Sequence, residues 1–92
     1  MRYVIVVLFK YKELSAEEEK KAREEWERLK KEFPKDIRLI RVADHAFGTD
    51  YNGFIVFESD SFEAYVRFWK WFKDKVRWYI ERTQTFIGIK RE

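Results

Sequence analysis

The chain predicts an α+β fold, a four-stranded antiparallel sheet carrying two helices on one face. Three observations support this. Strand-like and helix-like periodicities follow one another as strand, helix, strand, strand, helix, strand within 92 residues. The first and third strands are apolar on both sides. Two helices cover only one face of such a sheet, so the other needs a partner. A homodimer or an assembly of dimers is therefore expected, and the length suits one domain spanning residues 1–92.

Each element has its own warrant. In the first strand Tyr3, Ile5, Val7 and Phe9 point one way, and Val4, Val6 and Leu8 the other. Ser15 to Phe33 reads as the first helix. Ser15 and Glu18 form a capping box, Ala22, Trp26, Leu29 and Phe33 form a stripe, and Pro34 ends the run. Four pairs at i,i+4 spacing are expected along it: Glu17–Lys21, Glu19–Arg23, Glu24–Arg28 and Glu27–Lys31. The second strand runs from Asp36 to about His45, and its alternation slips at Ile40, which marks a bulge. A loop from Ala46 to Asn52 leads into Asn52-Gly53, a pair suited to a tight hairpin turn, and Phe54 to Phe57 is the third strand.

Asp60 with Glu63 opens the second helix. Its inner stripe is expected to be Phe62, Tyr65, Val66, Trp69, Phe72 and Val76, with Phe68, Trp71 and Trp78 off it. A helix continuing to Ile87 would be roughly 40 Å long at 1.5 Å per residue and would overshoot the sheet. Its end is therefore placed near Asp74 or Lys75. Trp78 to Ile89 carries the fourth strand, interrupted near Glu81-Arg82.

Composition narrows the chemistry. Without cysteine there are no disulfides, thiolate metal sites or cysteine nucleophiles. One histidine and no cysteine leave no basis for a structural zinc site, so no metal is expected. Charged residues reach 40%, while Asn52, Gln84 and Met1 stand alone of their kinds, the pattern of a hyperthermophile. The longest apolar run, Tyr3 to Phe9, has strand length, so no membrane span is expected and a cytoplasmic location is. A net charge of +3 gives no argument for nucleic acid.

The βαββαβ order is the ferredoxin-like plan. With the start Met1 to Phe9, the aromatic second helix and the apolar outer sheet face, the chain resembles the dimeric α+β barrel superfamily. More narrowly it is similar to small uncharacterised prokaryotic members, through Asp44-His45, the run Asn52 to Glu58, and Trp69-Lys70-Trp71-Phe72. The resemblance implies two subunits pressing their open sheet faces together. Related families include monooxygenases, isomerases and haem-degrading enzymes, so it fixes no activity, and no catalytic motif carries over. The small CRISPR adaptation nuclease shares the length and opening strand, but Leu8-Phe9-Lys10 lacks the carboxylate it needs. RNA-recognition motifs share the element order. Gly53 to Phe57 matches their third-strand motif only in part, with no leading Lys or Arg and one residue too few.

Two constellations could carry function. His45 lies at the end of the second strand, beside Asp44 and near Asp50 and Tyr51. It could be a general base oriented by a carboxylate or a haem ligand, and more simply it is a strand-end residue with a local hydrogen bond. The aromatics Trp69, Trp71, Phe72 and Trp78, with Phe68 and Tyr79, could line an apolar ligand pocket, and more simply are core and subunit contact. Interleaved Lys70, Lys73, Lys75, Arg77 and Arg82 suit stacked bases or charged groups on an amphipathic helix equally well. The leading expectation is a small-ligand-binding or assembly module without a cofactor. A cofactor-poor enzyme, monooxygenase- or isomerase-like, would use His45, Asp44 and Tyr51 at a pocket mouth. A nucleic-acid-binding module comes last.

Overall fold

A computed structural model describes residues 2–91. Met1 and Glu92, the ends of the expected 1–92 domain, lie outside the described residues. The elements are β1 (Tyr3–Tyr11), α1 (Ala16–Lys30), β2 (Ile37–Asp44), β3 (Gly53–Ser59), α2 (Phe62–Val76) and β4 (Ile80–Ile89). The strands form one sheet in the order β2-β3-β1-β4, every pair antiparallel. This is the ferredoxin-like arrangement, with both helices on one face.

Alternation sets the two faces. Ile5, Val7 and Phe9 of β1 pair with Phe57, Ile55 and Gly53 of β3, and these residues are buried beneath the helices. Val4, Val6 and Leu8 pair with Glu58, Val56 and Phe54 on the open face. The expected slip in β2 is present. Leu39 pairs with Phe57 and Arg41 with Val56, which leaves Ile40 as the extra residue of a bulge. Beyond it Val42 and Asp44 lie on the helix-covered face, opposite Ile55 and Gly53. β4 carries a second bulge: Lys10 pairs with Arg82 and Tyr11 with Ile80, leaving Glu81 over.

Several expectations need correction. α1 ends at Lys30, three residues before Phe33, because Pro34 clashes with a continuing helix and pushes Phe33 toward extended backbone. The Phe33 ring instead drops between the helices and the sheet, against Phe57, Phe68 and Phe72. The Ser15–Glu18 capping box forms in full. Among the described residues none of the four i,i+4 pairs closes, and Glu27 meets Lys30 at 2.7 Å. Exposed pairs gain little in water, so nothing holds these long side chains in a fixed geometry.

α2 is capped by Ser61, whose hydroxyl accepts the Ala64 N–H, while Asp60 pairs with Arg2. Its stripe is turned from the expected one. Phe68 is fully in the core, whereas Phe62 and Val66 are exposed. The residues that pack are Tyr65, Phe68, Phe72 and Val76, spaced three, four and four. With aromatics on several sides of the helix, two stripes fitted the sequence, and packing selects one. α2 ends at Val76, and β4 starts at Ile80, because Trp78 and Tyr79 form the turn between them.

Asn52-Gly53 is not a two-residue turn. The β2–β3 loop has eight residues, 45–52, and Gly53 is already paired with Asp44. Gly53 is required there by close approach. A Cβ would overlap the Ala43 carbonyl oxygen and lie 2.7 Å from the Phe9 ring.

Candidate functional site

The helix layer does not close on the sheet along its whole length. At the end where β2 runs into the 45–52 loop a cavity of about 710 Å³ opens between sheet and helices. Val7, Phe9, Val42 and Ile55 form its floor, and Trp26 of α1 with Trp69 and Phe72 of α2 its roof. Trp26 meets Phe72 edge-on with ring centres 6.0 Å apart, which joins the two helices over the void. Besides Trp26, α1 presents the buried Ala22 with the exposed Glu19, Arg23 and Glu27 around the opening, and β4 presents Ile80 and Thr83. Asp44, His45, Ala46, Tyr51 and Asn52 form the mouth, with Tyr11 beside them.

Tyr11 is the last residue of the alternating series Tyr3, Ile5, Val7, Phe9, so β1 delivers it to the helix-covered face. Its hydroxyl donates to Asp44 Oδ1 at 3.0 Å. Burial first, then this bond and the Asp44 charge, hold the hydroxyl far above its ordinary pKa of 10.0, so Tyr11 remains a protonated phenol. Asp44 reaches this position because the Ile40 bulge turns it inward. Across the cavity, burial and then the charge of Glu25 push the Tyr79 hydroxyl up to about 12. Glu25 itself holds one buried carboxylate oxygen without a partner among the described residues.

His45 stands exposed at the mouth with a left-handed backbone, φ +55°. The Asp44 carboxylate receives Tyr11, and no hydrogen bond joins it to His45 among the described residues. Tyr51 lies under the Arg82 guanidinium, 4.8 Å from its ring centre, and accepts a long bond from it at 3.4 Å. Arg82 also pairs with the Asp50 carboxylate, and Lys10 donates to the Asp50 carbonyl at 3.0 Å. The loop is thereby tied to β1 and β4.

The four aromatics singled out in the sequence divide. Trp69 and Phe72 line the cavity. Trp71 faces a shallow 240 Å³ groove with Pro34 and Phe68 at the other end of the helix layer. Trp78 packs on Tyr79 with the Lys21 ammonium 5.5 Å above its ring. Sequence reasoning did not find Tyr11, although the two-residue period of β1 carried the signal. It placed Trp26 in the core stripe, and only the shape of the helix layer shows it to be a wall. Among the described residues no group of three or more His, Cys, Asp or Glu side chains converges as metal ligands would, and no helix is long and apolar enough to cross a membrane.

No protein-family model matches the sequence, and no curated protein resembles it. Solved structures do share its shape. A dabb family protein with a ferredoxin-like fold from Mesorhizobium loti aligns over 99% of this chain and 98% of its own, at 15% identity and TM-score 0.71. A dimeric protein of unknown function with a ferredoxin-like fold, from Bacteroides fragilis, covers 97% and 96% at 16% identity and TM-score 0.71. A dimeric ferredoxin-like protein of unknown function from Thermobifida fusca covers 98% and 92% at 10% identity and TM-score 0.63. At such identities the likeness establishes the ferredoxin-like fold, and the activity has to be argued from the cavity.

Proposed function

We propose that the protein is a homodimeric module that binds a small, largely apolar ligand in the cavity between its helices and sheet. The observation that carries this is the cavity itself, about 710 Å³ with aromatic walls and a polar mouth. Small-molecule sites commonly enclose about 300–1,000 Å³ and combine apolar walls with a few polar groups. Trp26, Trp69 and Phe72 would take the apolar body of the ligand. Asp44, oriented by Tyr11, would accept a hydrogen bond from a ligand hydroxyl or amine.

Dimerisation belongs to the same reading. The open face carries a band of Val4, Val6, Leu8, Phe54, Val56 and Phe86, and Phe86 is 54% exposed. An apolar band of this kind favours burial against a second copy, and the solved structures described as dimeric support it. A cytoplasmic setting in a heat-adapted organism is also part of the proposal, supported by the charge-rich, cysteine-free composition. A thermal midpoint inside the mesophile range of about 45–65 °C would count against that origin.

One set of samples tests both halves. N-phenyl-1-naphthylamine, a neutral probe that fluoresces in apolar surroundings, should bind the wild-type protein saturably. Ala22→Phe should fill the cavity and remove that binding while leaving the mass, by light scattering, at twice the chain. Val6→Glu should halve the mass. Undiminished binding to Ala22→Phe would refute the cavity as the site, and a monomeric wild-type protein would refute the dimer.

A further inference from the structure

We propose that Phe47 is a lid, swinging over the cavity mouth when an apolar ligand is inside; this rests on the cavity being the ligand site. Phe47 is 96% exposed. A ring kept wholly in water gains by reaching an apolar surface, and its neighbours in the chain place one within reach. His45 and Ala46 before it, and Tyr51 and Asn52 after it, all line the mouth.

The loop has a fixed stem and a free tip. The Ala46 N–H donates to the Asn52 carbonyl at 2.9 Å, and the Asn52 N–H to the Phe9 carbonyl at 2.8 Å. Asn52 Oδ1 accepts the Tyr11 N–H at 2.8 Å, while Lys10 and Arg82 hold Asp50. Among the described residues neither Phe47 nor Gly48 makes a hydrogen bond to the sheet.

The tip is also bounded by two left-handed residues, His45 at φ +55° and Gly48 at φ +82°. Glycine adopts that region freely, whereas histidine is held there against its preference. Rotation at Gly48 and about the Phe47 side-chain bonds redirects the ring without disturbing the stem, which begins at Ala46. Closed, Phe47 would cover the ligand's exposed edge and exclude water from the Tyr11–Asp44 pair. The open loop sets entry and the closed loop sets release.

The test is stopped-flow release of N-phenyl-1-naphthylamine from wild-type and Phe47→Ala protein. Without the lid, release should quicken about tenfold while association changes little, because losing a contact made only in the bound state acts on the off-rate. Since Phe47 is exposed, the thermal midpoint of the variant should stay that of the wild type. Release at the wild-type rate overturns the lid and leaves the cavity standing. Unchanged release with a halved mass also overturns it and makes Phe47 a subunit contact. Failure of the probe to bind the wild-type protein removes the cavity reading and the lid with it.

Discussion

The two ends of the helix layer are built from the same kinds of residue and differ in what lies between them. At one end Phe33 fills the gap below the helices, 5.0 Å from Phe68, 5.8 Å from Phe72 and 5.9 Å from Phe57. At the other, Trp26, Trp69 and Tyr79 stand around an opening where the buried residue that α1 supplies is Ala22. Richness in aromatic rings thus does not separate core from pocket. The decisive residue is the one in the middle, and here it is either a phenylalanine released from a helix end or a methyl group.

The largest expected effect probes that contrast in stability. Phe33→Ala should cost about 3 kcal/mol or more in urea unfolding, since the ring is enclosed by others and leaves a cavity behind. Trp26→Ala should cost less than half as much despite removing a larger side chain, because one side of the indole already faces the void. Equal losses would mean that the cavity end is packed as tightly as the other, and the contrast would fail.

A smaller effect appears in acid. At the packed end Glu58 on β3 gathers Arg38 at 2.7 Å, Arg2 at 3.6 Å and Lys90 at 3.6 Å. Desolvation works to raise its pKa, but the Arg38 hydrogen bond and the charges of Lys90, Arg38 and Arg2 win and hold it below 4.5. At the cavity end the Arg82 bond and charge, with Lys10, hold Asp50 below 3.8. Both carboxylates have lowered folded pKa values. Their stabilisation is therefore fully present above those ordinary values and is lost as pH falls through the folded ones. Thermal midpoints measured downward from about pH 4.5 should fall, and Glu58→Gln should remove more of the fall than Asp50→Asn. Glu58 ties strand β3 to β2 and to the residues flanking β1 and β4, whereas Asp50 ties only a loop. A greater effect from Asp50→Asn would reverse the ranking of the two ends.

Much of this frame was legible in the residues. The slip at Ile40 and the irregularity at Glu81 broke an otherwise regular two-residue period, and each is a bulge. Ser15 with Glu18 is a local motif and formed as read. What was not legible depended on packing at a distance. Nothing local to Asn52-Gly53 reports that Phe9 and the Ala43 carbonyl crowd the glycine. The α2 stripe was ambiguous because Phe62, Val66 and Phe68 are equally apolar, and only the sheet below decides which turn inward. The placement of His45, Asp44 and Tyr51 at one mouth follows from their nearness in sequence. The partnership of Asp44 with Tyr11 spans 33 residues and needs the β1–β3–β2 register to be seen.

The extra residue in β2 has a consequence for how such a site could change over generations. Faces alternate strictly along a strand, so a residue gained or lost in a regular ladder turns over everything that follows it. At the bulge the outcome is different: with Ile40 gone, Arg41 would follow Leu39 directly and still pair with Val56, and Val42 and Asp44 would keep their places opposite Ile55 and Gly53. The loss of that one codon would straighten the strand and leave the acidic wall of the cavity where it is. In this architecture the bulge is a spare residue, and the strand can change length by one there without changing the charge it turns toward the cavity.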